Sequence, residues 1–340
     1  MATPSPPKHD MKYRYLGNSG LLVSTLSFGC MTFTDKTSVD TAFDILVKAY
    51  EGGVNYFDNA EGYTAGVAET LMGQAFKRGI ENGIYTKIFL GTKAGPNDQG
   101  LSRKHIIEGT KASLKRAQFD YFDVVFCHRP ERATPIEESV CAMNFVIEQG
   151  WALYWGTSEW SSHDIIEACE IADRLGLIRP IVEQPQYHIF ERSRVEFDYV
   201  NLYKKYKLGL TTWSPLAFGI LTGKYSKGIP EGARLGIDWI AAMMPDIDAR
   251  VAKADKLKVI ADELGCSLAQ LAIAWCVTNQ NVSTVMLGAP NVRQLEENLK
   301  VNAFIDKITP DVKAGIDEIA QFVPKLPEYG AFYTIRNKHL

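Results

Sequence analysis

What this 340-residue chain lacks excludes several classes of protein. No apolar run is long enough to cross a bilayer as a helix, which takes about 20 residues. No G-x-G-x-x-G follows any strand-like segment, which counts against a Rossmann domain. The nearest approach to a P-loop, Gly219 to Tyr225, has one residue too few between its glycines and a tyrosine where Ser or Thr is required. Six cysteines (Cys30, Cys127, Cys141, Cys169, Cys266 and Cys276) include no C-x-x-C pair and no His–Cys metal spacing, so no metal is expected and a reducing cytoplasm is the simplest compartment. A formal net charge of −3 offers no basic nucleic-acid surface. Residues 1–10, MATPSPPKHD, lack an apolar segment and read as a disordered leader rather than a signal peptide.

What the chain has is a repeated pattern. The runs TLSFG (25–29), VNYFD (54–58), KIFLGTK (87–93), FDVVFCH (122–128), YWGTS (154–158), IVEQ (181–184), LGLTTWS (208–214) and STVMLG (283–288) alternate with amphipathic stretches of helical period. Parallel strands need a crossover helix between them, and eight β-α units close a (β/α)8 barrel. The expected fold class is α/β, a (β/α)8 TIM barrel in one domain spanning 11–325, with a C-terminal tail over 326–340. A Gly-, Pro- and charge-rich stretch around 217–250 reads as a long loop insertion after strand seven. Helix signals agree: Thr134-Pro135-Ile136-Glu137 reads as a capping box with proline at the first helical position, Ser267 and Gln270 form a similar box, and Ser161 opens a helix that runs to about Gly176.

Asp58, Tyr63, Lys93 and His128 each fall at or just beyond the C-terminal end of an expected strand, and barrel closure gathers such ends on one rim. A tyrosine phenol, with an ordinary pKa near 10, can protonate a developing alkoxide if something makes it more acidic. A lysine ammonium does so by favouring the phenolate, and Asp58 would keep that lysine charged and oriented. His128 supplies a neutral hydrogen-bond donor to a substrate carbonyl, or shares the proton transfer. None of these side chains donates hydride, so together they imply a cofactor that does. Each also has a plain structural reading: Asp58 as a helix cap, Tyr63 as packing, Lys93 as solvated charge, His128 as a loop hydrogen bond.

A dinucleotide on a barrel uses the loops after strands seven and eight, where helix N-termini present free N–H groups. Trp213, Ser214, Pro215, Leu216, Ala217, Phe218 and Gly219 follow strand seven, and Gly219, Gly223 and Lys224 offer close backbone approach with a positive charge. After strand eight, Gly288, Ala289, Pro290 and Asn291 lead into a helix with Asn291 as its cap and Arg293, Gln294, Glu297 and Asn298 on its first turns. An ordinary solvated helix face is the competing reading of that last group.

GVNYFDNAEGY (53–63), the TKAG around Lys93, VVFCHRP and GTSEW resemble the aldo-keto reductases, and the resemblance covers nearly the whole chain. GLSRKHIIEGTKASLKR (100–116), YWGTSEW (154–160), TWSPLAFGILTGKY (212–225) and LGCSLAQLAIAWC (264–276) are most similar to the branch containing the potassium-channel beta subunits and their plant, fungal and bacterial relatives. The resemblance implies NADP(H) extended across the C-terminal rim and a catalytic tetrad of Asp58, Tyr63, Lys93 and His128. It also implies that Ser158 and Gln184 bind the nicotinamide carboxamide, and that Trp213 stacks on that ring or meets ribose or pyrophosphate. Arg234 would reach the phosphates, while Gln294, Glu297 and Asn298 would meet the 2′-phosphate or adenine. Cys30, Met31 and Asp58 belong to the same implied cofactor site, and Cys30, Met31, Phe33, Tyr63 and Trp160 shape an opening for an aldehyde or ketone. Two departures matter. Glu159 stands where animal channel subunits carry Arg, so no cofactor contact transfers to it, and His128 stands where they carry Asn and efficient reductases carry His. The strongly basic 2′-phosphate anchor is also missing, with only Arg293 nearby. The implied partners are a small carbonyl substrate, a second copy of the chain in a homo-oligomer (a tetramer by resemblance) and, as the alternative function, a potassium channel alpha subunit. Neither nucleic-acid binding nor membrane insertion is expected.

Overall fold

The computed structural model describes residues 9–79, 84–88, 100–230, 233–236 and 246–324, with side chains for all of these but 84–88 and Arg234. Eight parallel strands close into a barrel in the order β10-β3-β4-β5-β6-β7-β8-β9. They are β3 (Leu26–Gly29), β4 (Tyr56–Ala60), β5 (Ile84–Ile88), β6 (Phe122–Cys127), β7 (Ala152–Ser158), β8 (Val182–Gln184), β9 (Gly209–Thr212) and β10 (Val282–Leu287). Each of the eight expected runs overlaps one of these strands. Two are shifted: β4 continues past Asp58 to Ala60, and β5 begins before the KIFLGTK run, whose residues 89–93 lie outside those described. The leader, apart from His9 and Asp10, and the tail lie outside them too.

Helices α1 (Val39–Glu51), α2 (Val67–Phe76), α3 (Arg103–Ala117), α4 (Ile136–Glu148), α5 (Ser162–Leu175) and α6 (Val200–Tyr206) form the crossovers after β3 to β8. In α1, Ala42, Ile45, Leu46 and Ala49 are buried, the i, i+3, i+4, i+7 stripe that lays a helix on a barrel. Serine capping boxes open α5 at Ser161, with Asp164 as its partner, and the helix Leu268–Val277 at Ser267, with Gln270. The box expected at Thr134 is absent: Pro135 is itself the cap residue, and the Thr134 hydroxyl donates to Glu131 Oε2 at 2.8 Å. Thr134 serves the loop rather than the helix, because proline one position earlier than expected moves the helix start to Ile136.

Between β9 and β10 the described chain carries short turns at Ala217–Thr222 and Arg234–Gly236, then α7 (Ile247–Leu264) and α8 (Leu268–Val277). Almost every residue of α8 is buried, as its nearly unbroken apolar sequence LAQLAIAWCV requires of a helix covered on all sides. After β10 come α9 (Val292–Leu299) and α10 (Pro310–Ala320).

A feature that the periodicity does not announce closes the N-terminal mouth. Strands β1 (Tyr13–Tyr15) and β2 (Leu22–Ser24) form an antiparallel hairpin, and its Leu16 and Val23 are buried in one apolar cluster with Tyr56, Ala60, Val124, Phe126, Val182 and Met286 of the barrel lumen. Asn55, just before β4, holds β2 through its side chain, accepting from Ser24 N at 2.7 Å and donating to Leu22 O at 3.0 Å. Gly17 is obligatory here: its φ is +58°, and a Cβ would come within 2.1 Å of Ile181 O and 2.6 Å of Gly209 N. The candidate site residues lie on or follow the strands towards the opposite, C-terminal rim.

Candidate active site

Side chains alternate between the lumen and the helical layer along each strand. On β4, Tyr56 and Ala60 face the lumen cluster, so Asp58 between them points inward, and it is fully buried. On the far side, Gln184 at the end of β8 donates from Nε2 to Asp58 Oδ1 at 3.2 Å and to Thr211 Oγ1 of β9 at 3.3 Å. Since β4 and β8 lie four strands apart by either route round the barrel, the Asp58 contact crosses the lumen. Ser158, aligned with Gln184 in the β7–β8 register, donates its hydroxyl to Gln184 O at 2.8 Å. Asp58, Ser158 and Gln184, which sequence reading places in one site, are thus joined by hydrogen bonds. Cys30, fully buried just after β3, has its thiol pushed well above the ordinary range by burial and by the nearby Asp58 carboxylate.

Tyr63 follows β4 on an unusual loop. Thr64, Ala65 and Gly66 are all left-handed, with φ of 48°, 52° and 89°. The first two are disfavoured by about 1–2 kcal/mol each, so the surroundings must enforce the loop. Glu61, fully buried, hydrogen-bonds His105 Nε2 of α3 at 2.9 Å, and the Thr64 hydroxyl donates to Phe33 O at 3.3 Å. The phenol that results is partly buried and packs against the lumen cluster. Neither Glu61 nor His105 stood out in sequence; their pairing joins residues 44 positions apart and becomes visible only with α3 in place.

His128 follows β6 directly. Burial, reinforced by the Arg129 guanidinium beside it, lowers its pKa to about 3, so the imidazole is neutral at pH 7. Its Nδ1 is buried, with no hydrogen-bond partner among the described residues. A neutral ring offers one N–H donor and one acceptor, which suits orienting a carbonyl and does not suit acting as the proton source. Lys93 lies outside the described residues.

Strand pairing continues past β8 and β9 through Gln186 and Trp213, whose backbone N–H donates to Pro185 O at 3.1 Å. Beyond Trp213 the chain coils tightly, with Ser214, Ala217, Phe218 and Gly219 at φ of 59°, 48°, 55° and 97°. Lys224 folds back over this coil. A Cβ at Gly219 would lie 2.8 Å from its Cε and 3.0 Å from its Nζ, so glycine is what admits the ammonium. No carboxylate among the described residues is ion-paired with Lys224. Across the rim, Thr32 donates to Ala289 O at 3.2 Å, which joins the segment of Cys30 and Met31 to the Gly288–Asn291 loop. Asn291 caps α9 by accepting from Gln294 N at 3.0 Å. Gln294 is exposed, Asn298 is buried, and the side chain of Arg234 is outside the described set. The Glu297 carboxylate already accepts from Gln270 at 2.9 Å and pairs with Lys300 at 3.1 Å.

The opening differs from expectation in one respect. Met31 and Tyr63 reach the surface, whereas Cys30, Phe33 and Trp160 are fully buried and support the site from beneath. Trp160 lies below the rim because its backbone N–H donates to the buried carboxylate of Glu183 at 3.2 Å. Glu183 points away from the lumen, also accepts from Thr157 and Tyr199, and has its pKa pushed up to about 8 by burial.

The family model for the aldo/keto reductases matches residues 25–321. The chain belongs to the aldo/keto reductase family. The family is one of oxidoreductases that generally bind NAD(P)H. The chain is also similar to a protein of Arabidopsis thaliana named "Probable voltage-gated potassium channel subunit beta", with 54% identity over 326 residues, 94% of this chain and 99% of the relative. A protein of the same name from Oryza sativa subsp. japonica is 51% identical over 326 residues, with the same coverage. No single helix among the described residues of this aldo/keto reductase is long and apolar enough to cross a membrane.

Proposed function

We propose that the chain is an NADP(H)-dependent reductase of aldehydes or ketones in which Tyr63 is the general acid. The observation that carries this reading is a neutral His128 on the rim above Asp58, with Tyr63 presented by an enforced left-handed loop. In this reading the Tyr63 hydroxyl gives its proton to the carbonyl oxygen, and His128 donates a hydrogen bond to the same oxygen and fixes its direction. Lys93, held charged by Asp58, makes the phenol more acidic. NADP(H), when bound, supplies the hydride. The residues fit it: the Lys224 ammonium over the coil at Gly219, ion-paired with no carboxylate among the described residues, suits a pyrophosphate, and Ser158, Gln184 and Trp213 are assigned to the nicotinamide end. Cys30, Met31 and the 214–217 backbone are assigned to its length, with Gly288, Ala289, Asn291, Gln294 and Asn298 at the adenosine end. Glu297 is assigned there as well, through Oε2, the oxygen it shares with Lys300 and not the one that accepts from Gln270.

Tyr63→Phe tests the acid. Carbonyl reduction should fall by about 10²–10⁴-fold, the range of a general acid, while NADPH still quenches protein fluorescence with nearly unchanged affinity. Retained turnover would remove Tyr63 from the role. A second reading is favoured by the relatives' names, which make them probable beta subunits of a voltage-gated potassium channel: this chain would then be a cytoplasmic, oligomeric module that docks on such a channel and reads nicotinamide occupancy. An aldehyde panel, set beside co-purification with a channel alpha subunit, separates the two readings.

A further inference from the structure

Glu159 is the first residue after β7 and adopts φ +58°, a left-handed conformation that glutamate rarely takes. Its backbone N–H still reaches Gln184 O at 3.3 Å. The conformation turns the carboxylate across the ends of β8 and β9. There Oε1 accepts from the indole Nε1 of Trp213 at 3.0 Å and from the backbone N–H of Gln186 at 2.6 Å, while Oε2 pairs with Arg194 Nε at 3.2 Å. Arg194 is anchored in turn, donating to Trp160 O at 2.6 Å and to the Tyr199 hydroxyl at 3.3 Å. The Trp213 ring is also bounded by Phe218, edge-on at 6.0 Å, and by the Arg129 guanidinium 5.7 Å from its centroid.

An indole N–H can only donate, so a residue that fixes the ring must offer an acceptor. A carboxylate balanced by an anchored arginine does this more strongly than a neutral group, and charge-assisted hydrogen bonds are about twice as strong as neutral ones. We propose that Glu159 is a positioning residue: it holds the indole plane of Trp213 and the Gln186 turn in the orientation that receives the nicotinamide end of the cofactor. The proposal rests on the cofactor reading given above, but its first half concerns the free protein alone. It also accounts for glutamate at a strained position, since the left-handed backbone is what aims the carboxylate at donors from two other strand ends, Trp213 and Gln186, and at Arg194.

The test has two readouts. In protein labelled with 15N-tryptophan, the Trp213 indole resonance is assigned by its loss in Trp213→Phe. Glu159→Ala should shift that resonance and speed its hydrogen exchange at least tenfold, and Glu159→Gln, which keeps an acceptor, should restore most of the protection. NADPH titrations then give dissociation constants for wild type, Glu159→Ala, Trp213→Phe and the double variant. Glu159→Ala should weaken NADPH about tenfold, and should weaken it less than twofold further once Trp213 is Phe. An indole resonance unmoved by Glu159→Ala overturns the positioning role. Additive losses in the double variant overturn action through Trp213. A wild type that does not bind NADPH overturns the cofactor half alone, and the indole resonance still decides the Glu159–Trp213 link.

Discussion

Glu183→Gln should make the protein more stable, by an amount set by pH. The carboxyl is fully buried beneath the rim, and burial pushes its pKa from the ordinary glutamate range up to about 8. Glu159 adds to the rise, while hydrogen bonds from Thr157 and Tyr199 and the charge of Arg194 pull against it. In the unfolded chain the same group ionises near 4.5. Between these two values the folded state binds the extra proton, so stability from this group is fully present below about pH 4.5 and is lost as pH rises through about 8. At about 1.4 kcal/mol per pH unit, the loss reaches an order of 3–5 kcal/mol above pH 8. Glutamine imitates the protonated form. Its oxygen can accept from Trp160 N and Tyr199 where Oε1 does, and its nitrogen faces a Thr157 hydroxyl that accepts as well as donates. Urea unfolding followed by circular dichroism at pH 5, 7 and 9, at fixed protein concentration, measures the difference. The two proteins should match near pH 5, and the variant should pull ahead by several kcal/mol at pH 9. A difference that does not change with pH, or that grows towards acid, would refute the claim that Glu183 is folded in its neutral form.

His128, held neutral down to about pH 3, should contribute no inflection to kcat/KM between pH 5 and 8, and a step near 6.5 that disappears in His128→Gln would contradict this. The sign for stability is opposite to that of Glu183. With the folded pKa depressed, the contribution of His128 is present above about 6.5 and is lost as pH falls towards 3, and the fully buried His188, also lowered to about 3, acts in the same direction. Lys224→Gln should raise the NADPH dissociation constant about tenfold, the effect of losing one charge-assisted contact of about 1.4 kcal/mol, with kcat nearly unchanged; an unmoved affinity removes Lys224 from the pyrophosphate site.

The eight strands were legible because each is a short apolar run followed by helical period, and the rim residues were legible because strand ends in a closed barrel must converge. The N-terminal hairpin was not, since TLSFG and its neighbours form one apolar stretch and nothing local separates the plug strand Leu22–Ser24 from the barrel strand Leu26–Gly29. Thr134 misled because a capping motif specifies residue types, while the cap itself depends on where proline sets the backbone. Glu61, Glu159 and Glu183 were illegible as a class. An acid in sequence reads as surface charge, and its burial depends on partners such as His105, Trp213 and Tyr199 that only the closed barrel brings within reach.

The distribution of backbone strain makes the same division between scaffold and site on independent grounds. Nine described residues other than glycine have positive φ. Gln118, Lys207 and Gln321 are C-caps of helices, where a left-handed residue ends the helix at little cost. The other six, Thr64, Ala65, Glu159, Ser214, Ala217 and Phe218, all follow β4, β7 or β9 at the C-terminal rim. Helix termination explains none of them, and Asn or Gly would adopt each conformation more readily. Their shared location therefore reflects what the rim must present: Tyr63 beside the first pair, the Trp213 indole against the third, and the backbone of the coil under Lys224 among the last three. A barrel whose lumen is packed and plugged at the opposite end is rigid enough to hold such loops, and for that reason the strain can be confined to the one face where orientation matters.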